Sequence, residues 1–153
     1  MTPGLNGKKV KRPLSLRKIK EMAEVVDVEK IYNHWMQTSD KDADTMMHLF
    51  NTKDYHWSLF IGHIVLERLL KATIVKITGN HAPFTHDLAK LANISGLPFS
   101  EIYFDWLDTV STFNMNARYD SYKEEFYKKC TLTFTNEWIE KIKELQSWIK
   151  EKQ

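Results

Sequence analysis

The most apolar stretch of the chain, from His56 to Gly79, is predicted to be its central helix. Its apolar side chains cover more than one face of a helix about seven turns, or roughly 35 Å, long. A helix that is apolar nearly all round is buried by partners on several sides. Gly79 and Asn80 are expected to end it, because both residues tolerate the left-handed conformation that follows a helix.

The other segments also show helical spacing of apolar positions, and no convincing strand alternation occurs. Helix starts or N-caps are predicted at Ser15 (a short amphipathic helix), Asp27 or Val28 (the first main helix), Thr85, Ser100 and a position after Thr135. The polar run 38–42 is either a break in the first main helix or an exposed turn of it. Residues 121–133 are either a structured loop or a short helix. The fold predicted is an all-α, antiparallel, up-and-down bundle of about five helices.

The composition is that of a soluble globular protein with one domain. The chain has 153 residues, 42% of them hydrophobic and 27% charged. No apolar run is long enough to span a membrane, and the N-terminus lacks the apolar core of a secretory signal. The single cysteine, Cys130, excludes an internal disulfide and suits a reducing compartment. We therefore expect a cytoplasmic protein without a membrane partner.

Basic residues are concentrated at the N-terminus. The first twenty residues contain seven lysines and arginines and no acid, which leaves 15 basic and 20 acidic groups in the other 133. We predict a basic flexible leader over residues 1–26, with a short helix in it, and a helical domain over residues 27–153. Such a leader either binds nucleic acid through phosphate contacts or remains a solvated tail.

Several common kinds of functional site are absent from the sequence. Neither glycine-rich phosphate-binding motif occurs, and one cysteine without an HExxH motif excludes the usual zinc patterns. Cys130 has no evident base, which argues against nucleophilic catalysis. We predict no cofactor and no metal.

The best candidate for chemistry is the pair Asn114 and Arg118, closely followed by Tyr122 and Lys123. Residues four apart point the same way on a helix. Arginine offers a planar set of donors that suits phosphate, and tyrosine can stack on a base. Alternatively, the arginine joins helices by pairing with an acid. Three acidic residues are available for this: Asp120, Glu124 and Glu67.

A second candidate is the polar stripe formed by His63, Glu67 and Lys71 on the central helix. Their i, i+4 spacing places all three on one face, and a glutamate before a lysine is the favourable order. The stripe is either a solvated edge with an ordinary ion pair or a polar seam that faces a cleft or a second subunit.

The order of motifs resembles the HEPN family, which comprises small helical domains related to nucleotides and RNA. The resemblance covers roughly Ile31 to Ile149. It rests on Trp35 with Asp42 or Asp44, the run Asp54–Phe60, the run Phe60–Ala72 with Glu67 and Lys71, Thr85-His86-Asp87-Leu88, and Ala117-Arg118-Tyr119-Asp120.

Many members of that family are metal-independent RNases with a polar residue, three positions, an arginine, four to six positions and a histidine. Asn114 and Arg118 match the first half, but positions 123–125 are Lys, Glu and Glu. Without that imidazole the general acid–base step has no evident agent. The resemblance thus implies a non-catalytic homodimer that binds a nucleotide or RNA, or that partners a small nucleotidyltransferase in a toxin–antitoxin-like pair.

In that interpretation Asn114, Arg118, Tyr122 and Lys123 line a polar groove that the stripe on the central helix also faces. Two alternatives remain open. One is an active metal-independent endoribonuclease with another residue in place of the histidine. The other is a module that binds only protein.

Overall fold

The structure is a computed structural model that describes residues 12–153, except for the side chains of residues 21–26. The first eleven residues of the predicted basic leader lie outside the described part. Within it the chain forms helices and no strand. The helices are α1 (Leu16–Asn51), α2 (Tyr55–Thr78), α3 (Leu88–Ser95), α4 (Glu101–Arg118), α5 (Asp120–Lys129) and α6 (Leu132–Lys152). The all-α prediction is confirmed, with six helices in the described residues instead of about five.

Helices α1 and α2 form a long antiparallel hairpin. The Ser39 hydroxyl of α1 donates to the carbonyl of Val65 at 2.8 Å, and the Ser58 hydroxyl of α2 donates to the carbonyl of Met46 at 2.7 Å. Residue numbers therefore increase along α1 while those of the contacting residues on α2 decrease, as in an antiparallel pair. Both serines are fully buried, so these bonds satisfy hydroxyls that would otherwise be costly to bury.

The polar run 38–42 is part of one uninterrupted helix, and its acidic residues connect α1 to other helices. Asp42 forms an ion pair with Arg68 of α2 at 2.7 Å. Asp40 forms one with Lys150 of α6 at 2.6 Å. The run therefore marks an interface between helices and not a break.

Helix α2 is the centre of the bundle, as its composition predicts. It contacts each of the other five helices. Its fully buried leucines at 59, 66, 69 and 70 lie in the main hydrophobic cluster with apolar residues from every other helix. Gly79 follows α2 with φ +70°, the left-handed conformation expected of it.

Several predicted helix boundaries are confirmed by capping bonds. The Ser15 side chain accepts from the amide of Lys18, and the Ser100 side chain accepts from the amide of Tyr103. Residues 121–133, for which the sequence allows a structured loop or a short helix, contain most of α5 and the start of α6.

Other boundaries were predicted wrongly. A separate helix before Asp27 does not exist, because α1 continues from Leu16 through that position. Asp87 caps α3 in place of Thr85, whose hydroxyl instead accepts from the Asp87 amide. Helix α6 begins at Leu132, before Thr135, because the Thr131 side chain already caps it. At α3 and α6 a side-chain bond to a nearby amide decides the start.

In the described residues, no helix combines the length and the apolar character that crossing a membrane requires.

Candidate functional site

The polar stripe of α2 is buried, which excludes the solvated-edge interpretation. His63 has no exposed surface, and Glu67 and Lys71 are each 8% exposed. Buried polar groups are usually hydrogen-bonded, because leaving them without a partner costs free energy. The partners of His63 and Glu67 come from α4 and from the segment between α2 and α3, whereas Lys71 pairs with Glu67 on α2 itself.

His63 connects that segment to α4. Its Nε2 lies 2.8 Å from the carbonyl oxygen of His86, and its Nδ1 lies 3.3 Å from Nδ2 of Asn114. Because a carbonyl only accepts, Nε2 must carry the proton. Nδ1 of the neutral ring then accepts from the Asn114 amide.

This arrangement fixes the orientation of the Asn114 amide. Since Nδ2 faces His63, Oδ1 faces Arg118 and accepts from its guanidinium. Arg118 Nε also donates to the main-chain carbonyl of Asn114 at 3.2 Å. The buried imidazole thus positions the arginine through one amide. Burial lowers the pKa of His63. The hydrogen bond to the His86 carbonyl and the charge of Glu67 oppose this shift without reversing it, so the neutral ring is favoured.

Glu67 holds the other end of the network. One carboxylate oxygen accepts from Nδ1 of His86 at 2.5 Å, and the other lies 3.4 Å from Nζ of Lys71. Glu67 therefore anchors the residue whose carbonyl binds His63. A chain of polar contacts runs from Lys71 through Glu67, His86 and His63 to Asn114.

The guanidinium of Arg118 has no carboxylate partner in the described part of the chain, so the predicted alternative of an ion pair with Asp120, Glu124 or Glu67 does not occur. The guanidinium carbon Cζ lies 5.7 Å from the ring centroid of Tyr119. Arg118 is exposed, whereas the amide that orients it is buried. The result is an oriented cation at the protein surface.

Tyr122 and Lys123 do not join this arrangement. No hydrogen bond, ion pair or ring contact links either side chain to Asn114 or Arg118 in the described structure. Lys123 instead lies over the Trp57 ring at 5.1 Å, and Tyr122 is an exposed side chain. The predicted site residues thus divide into a connected set and an outlying pair.

A hollow of about 330 Å³ beside α5 contains a residue that is not among the predicted site residues. His56 lines it together with Asp120, Lys123, Glu124 and Tyr127. Burial and the neighbouring Lys123 charge lower the pKa of His56. Its ring makes no hydrogen bond within residues 12–153, so both nitrogens are free to meet a ligand.

His86 was also missed as a site residue, although its motif contributed to the family resemblance. Its side chain reaches Glu67 from a segment 19 residues away in sequence. The Thr-His-Asp-Leu motif could have pointed to His86, but its spacing alone does not show which helix the His86 side chain contacts.

Metal binding and thiol chemistry find no support in the described residues. No group of three or more His, Cys, Asp or Glu side chains there could hold a metal ion. Cys130 is buried, which raises the pKa of its thiol to about 12 and keeps it protonated.

Comparison with known proteins identifies one family. A family model described as the HEPN domain matches residues 32–152, most of the chain. Neither the curated proteins nor the solved structures yielded a match.

Proposed function

The chain belongs to the HEPN domain family, and on that premise we propose that it is a non-catalytic member that binds an RNA or nucleotide phosphate through Arg118. The observation that carries this proposal is the guanidinium that Asn114 orients and no described carboxylate neutralises. An arginine fork matches phosphate oxygens in geometry and charge, and it remains charged at any physiological pH.

The position of His63 supports a binding role over a catalytic one. A general acid or base must come within hydrogen-bond reach of the proton it transfers. His63 is fully buried, and both of its nitrogens are engaged by His86 and Asn114. It can orient Arg118, but it cannot touch a substrate without moving.

We propose further that the protein works as a homodimer and that its partner is a small nucleotidyltransferase in a toxin–antitoxin-like pair. Family membership and the resemblance of the motifs support this. Light scattering at micromolar concentration tests the dimer, and a monomeric mass would contradict it. Co-purification with a nucleotidyltransferase encoded by a neighbouring gene tests the partner.

Titration of labelled single-stranded RNA at low salt tests the role of Arg118. Hydrogen bonds to charged groups contribute about 1.5–3 kcal/mol, so Arg118→Ala should weaken binding roughly 10- to 100-fold. Arg118→Lys should recover part of the affinity, because it keeps the positive charge. It should not recover all of it, because lysine lacks the planar guanidinium that can form two parallel hydrogen bonds to phosphate.

The matched control is Lys143→Ala, which removes a partly exposed cation of α6 that pairs with Glu140. It should leave RNA affinity unchanged apart from a small electrostatic effect. If neither RNA nor nucleotides bind the wild type at low salt, the proposal fails and the protein-interaction module replaces it.

A second candidate function is a metal-independent endoribonuclease, and the position of His56 favours it. His56 shares its hollow with Lys123 and Glu124, two of the three positions where the RNase pattern expects a histidine. A neutral imidazole there could act as a general base.

RNA cleavage in the presence of EDTA separates the two functions. Cleavage by the wild type that is lost in both Arg118→Ala and His56→Gln would establish the nuclease and overturn the non-catalytic proposal. Binding without cleavage would support the non-catalytic function.

A further inference from the structure

A pocket of about 530 Å³ opens between α1 and the segment that connects α2 to α3. Its walls are mainly apolar and include Ile31, Trp35, Pro83 and Phe84. Arg118 and Asn114 do not line it. The pocket is therefore a different site from the one proposed for phosphate, and it is large enough for a small organic ligand.

Lys71 brings a nearly buried ammonium to this pocket. The residue is 8% exposed, lines the pocket and lies with Nζ 5.5 Å from the Trp35 ring centroid. Its one hydrogen bond in the described structure goes to Glu67 and is long, at 3.4 Å. An ammonium has three N–H donors, so the others remain available to a ligand.

The neighbouring charges leave room for an anion. Glu67 divides its carboxylate between Lys71 and His86, and its contact with His86 is the shorter of the two, at 2.5 Å. Among the lining residues that the structure describes, Asp27 is the only acid, whereas Lys30 and Lys71 are both basic. A ligand group that adds negative charge beside Lys71 therefore complements the pocket.

The apolar wall of the pocket indicates what the uncharged part of the ligand is. The Phe84 side chain is fully exposed at 104%, although large apolar side chains are usually at least partly covered. It lines the same pocket as the half-buried Trp35 indole. Aromatic side chains placed in this way bind flat rings by stacking and edge contacts.

We propose that this pocket binds a small aromatic anion, with its ring against Trp35 and Phe84 and its anionic group on Lys71. The same chemistry could come from a nucleoside monophosphate or from an aromatic carboxylate. This proposal does not depend on phosphate binding by Arg118.

Calorimetric titration of the full chain tests it with two anions and their uncharged counterparts: AMP with adenosine, and indole-3-acetate with indole. At least one anion should bind with one-to-one stoichiometry. Its uncharged counterpart should bind with an affinity at least about tenfold lower. The anion that saturates identifies the source of the ligand.

Phe84→Ala is the decisive variant, because a fully exposed side chain can be removed without disturbing the core. It should weaken binding at least about fivefold by loss of ring contact. Ile102→Ala, which removes another exposed apolar side chain on α4, should have no effect. Lys71→Met keeps the aliphatic stem and should abolish the preference for the anion, with folding checked by circular dichroism.

Four results would overturn the proposal. Three are no binding of either anion at millimolar concentration, equal binding of charged and uncharged compounds, and equal affinities of Phe84→Ala and the wild type. The fourth concerns Arg118. Arg118→Ala must leave binding intact. If it abolishes binding, the anion occupies the Arg118 site and the pocket proposal fails while the proposed function stands.

Discussion

Protonation of His63 should destabilise the fold and release Arg118 from its orientation. The neutral ring donates through Nε2 to the His86 carbonyl and accepts through Nδ1 from Asn114. A protonated ring has a donor at both nitrogens, so Nδ1–H would point at the Asn114 amide hydrogens. Either the contact breaks or the amide turns over and withdraws Oδ1 from Arg118.

The expected size follows from proton linkage. Burial lowers the folded-state pKa of His63 below the value of about 6.5 in an unfolded chain. Between those two pKa values the unfolded chain binds more protons than the folded one. His63 therefore contributes stability above pH 6.5 that is lost as the pH falls, at no more than about 1.4 kcal/mol per pH unit for one proton.

Urea unfolding at intervals from about pH 8 to pH 5 measures this loss. The wild type should lose stability more steeply with falling pH than His63→Gln, whose side chain cannot protonate. The difference between the two curves isolates His63 from other groups, including His56, whose pKa is also lowered. His81→Gln removes an exposed histidine and serves as the control, with a wild-type slope expected.

Parallel curves for the wild type and His63→Gln would refute the reasoning. They would mean either that His63 does not titrate differently on folding or that the network adapts to a second proton at no cost. A binding measurement adds a second criterion. As the pH falls through the lowered folded-state pKa of His63, wild-type RNA affinity should decrease more steeply than that of Arg118→Ala, which has no guanidinium to release.

Three further predictions concern the stability of the bundle, and urea unfolding measures each of them. Glu67→Ala should lower the free energy of unfolding by about 3 kcal/mol, because it leaves the nearly buried Lys71 without its carboxylate partner. A loss below about 1 kcal/mol would contradict the stabilising role of Glu67 in the network. Gly62→Val should lower the free energy of unfolding by about 1–3 kcal/mol or more, because a Cβ at this position would lie 2.6 Å from Cδ1 of Ile142. An unchanged urea midpoint would show that the core repacks freely. Thr135→Val should be neutral or stabilising by up to about 1–2 kcal/mol, because the buried Thr135 hydroxyl has no hydrogen-bond partner among the described residues. Clear destabilisation would show that the hydroxyl has one.

The candidate site was predictable only in part. Asn114 and Arg118 could be paired from their spacing, because residues four apart on a helix are neighbours whatever surrounds them. The same rule placed His63, Glu67 and Lys71 on one face. It could not show that this face is buried, since burial depends on which other helices cover it.

What the sequence determined by itself is the all-α fold class and the central place of α2. Apolar periodicity and a left-handed Gly79 are local properties, and they are visible without any knowledge of packing. The same holds for membership in the HEPN family, which depends on the order of motifs along the chain.

The tertiary structure alone decided which polar groups meet. His86 reaches Glu67 from the connection after α2, and Asn114 reaches His63 across 51 residues of sequence. These contacts require α2, α4 and that connection to pack together, and they set the tautomer of one ring and the orientation of one amide. Local spacing carries no information about such distant partners, because the contact arises only when burial removes the competing water.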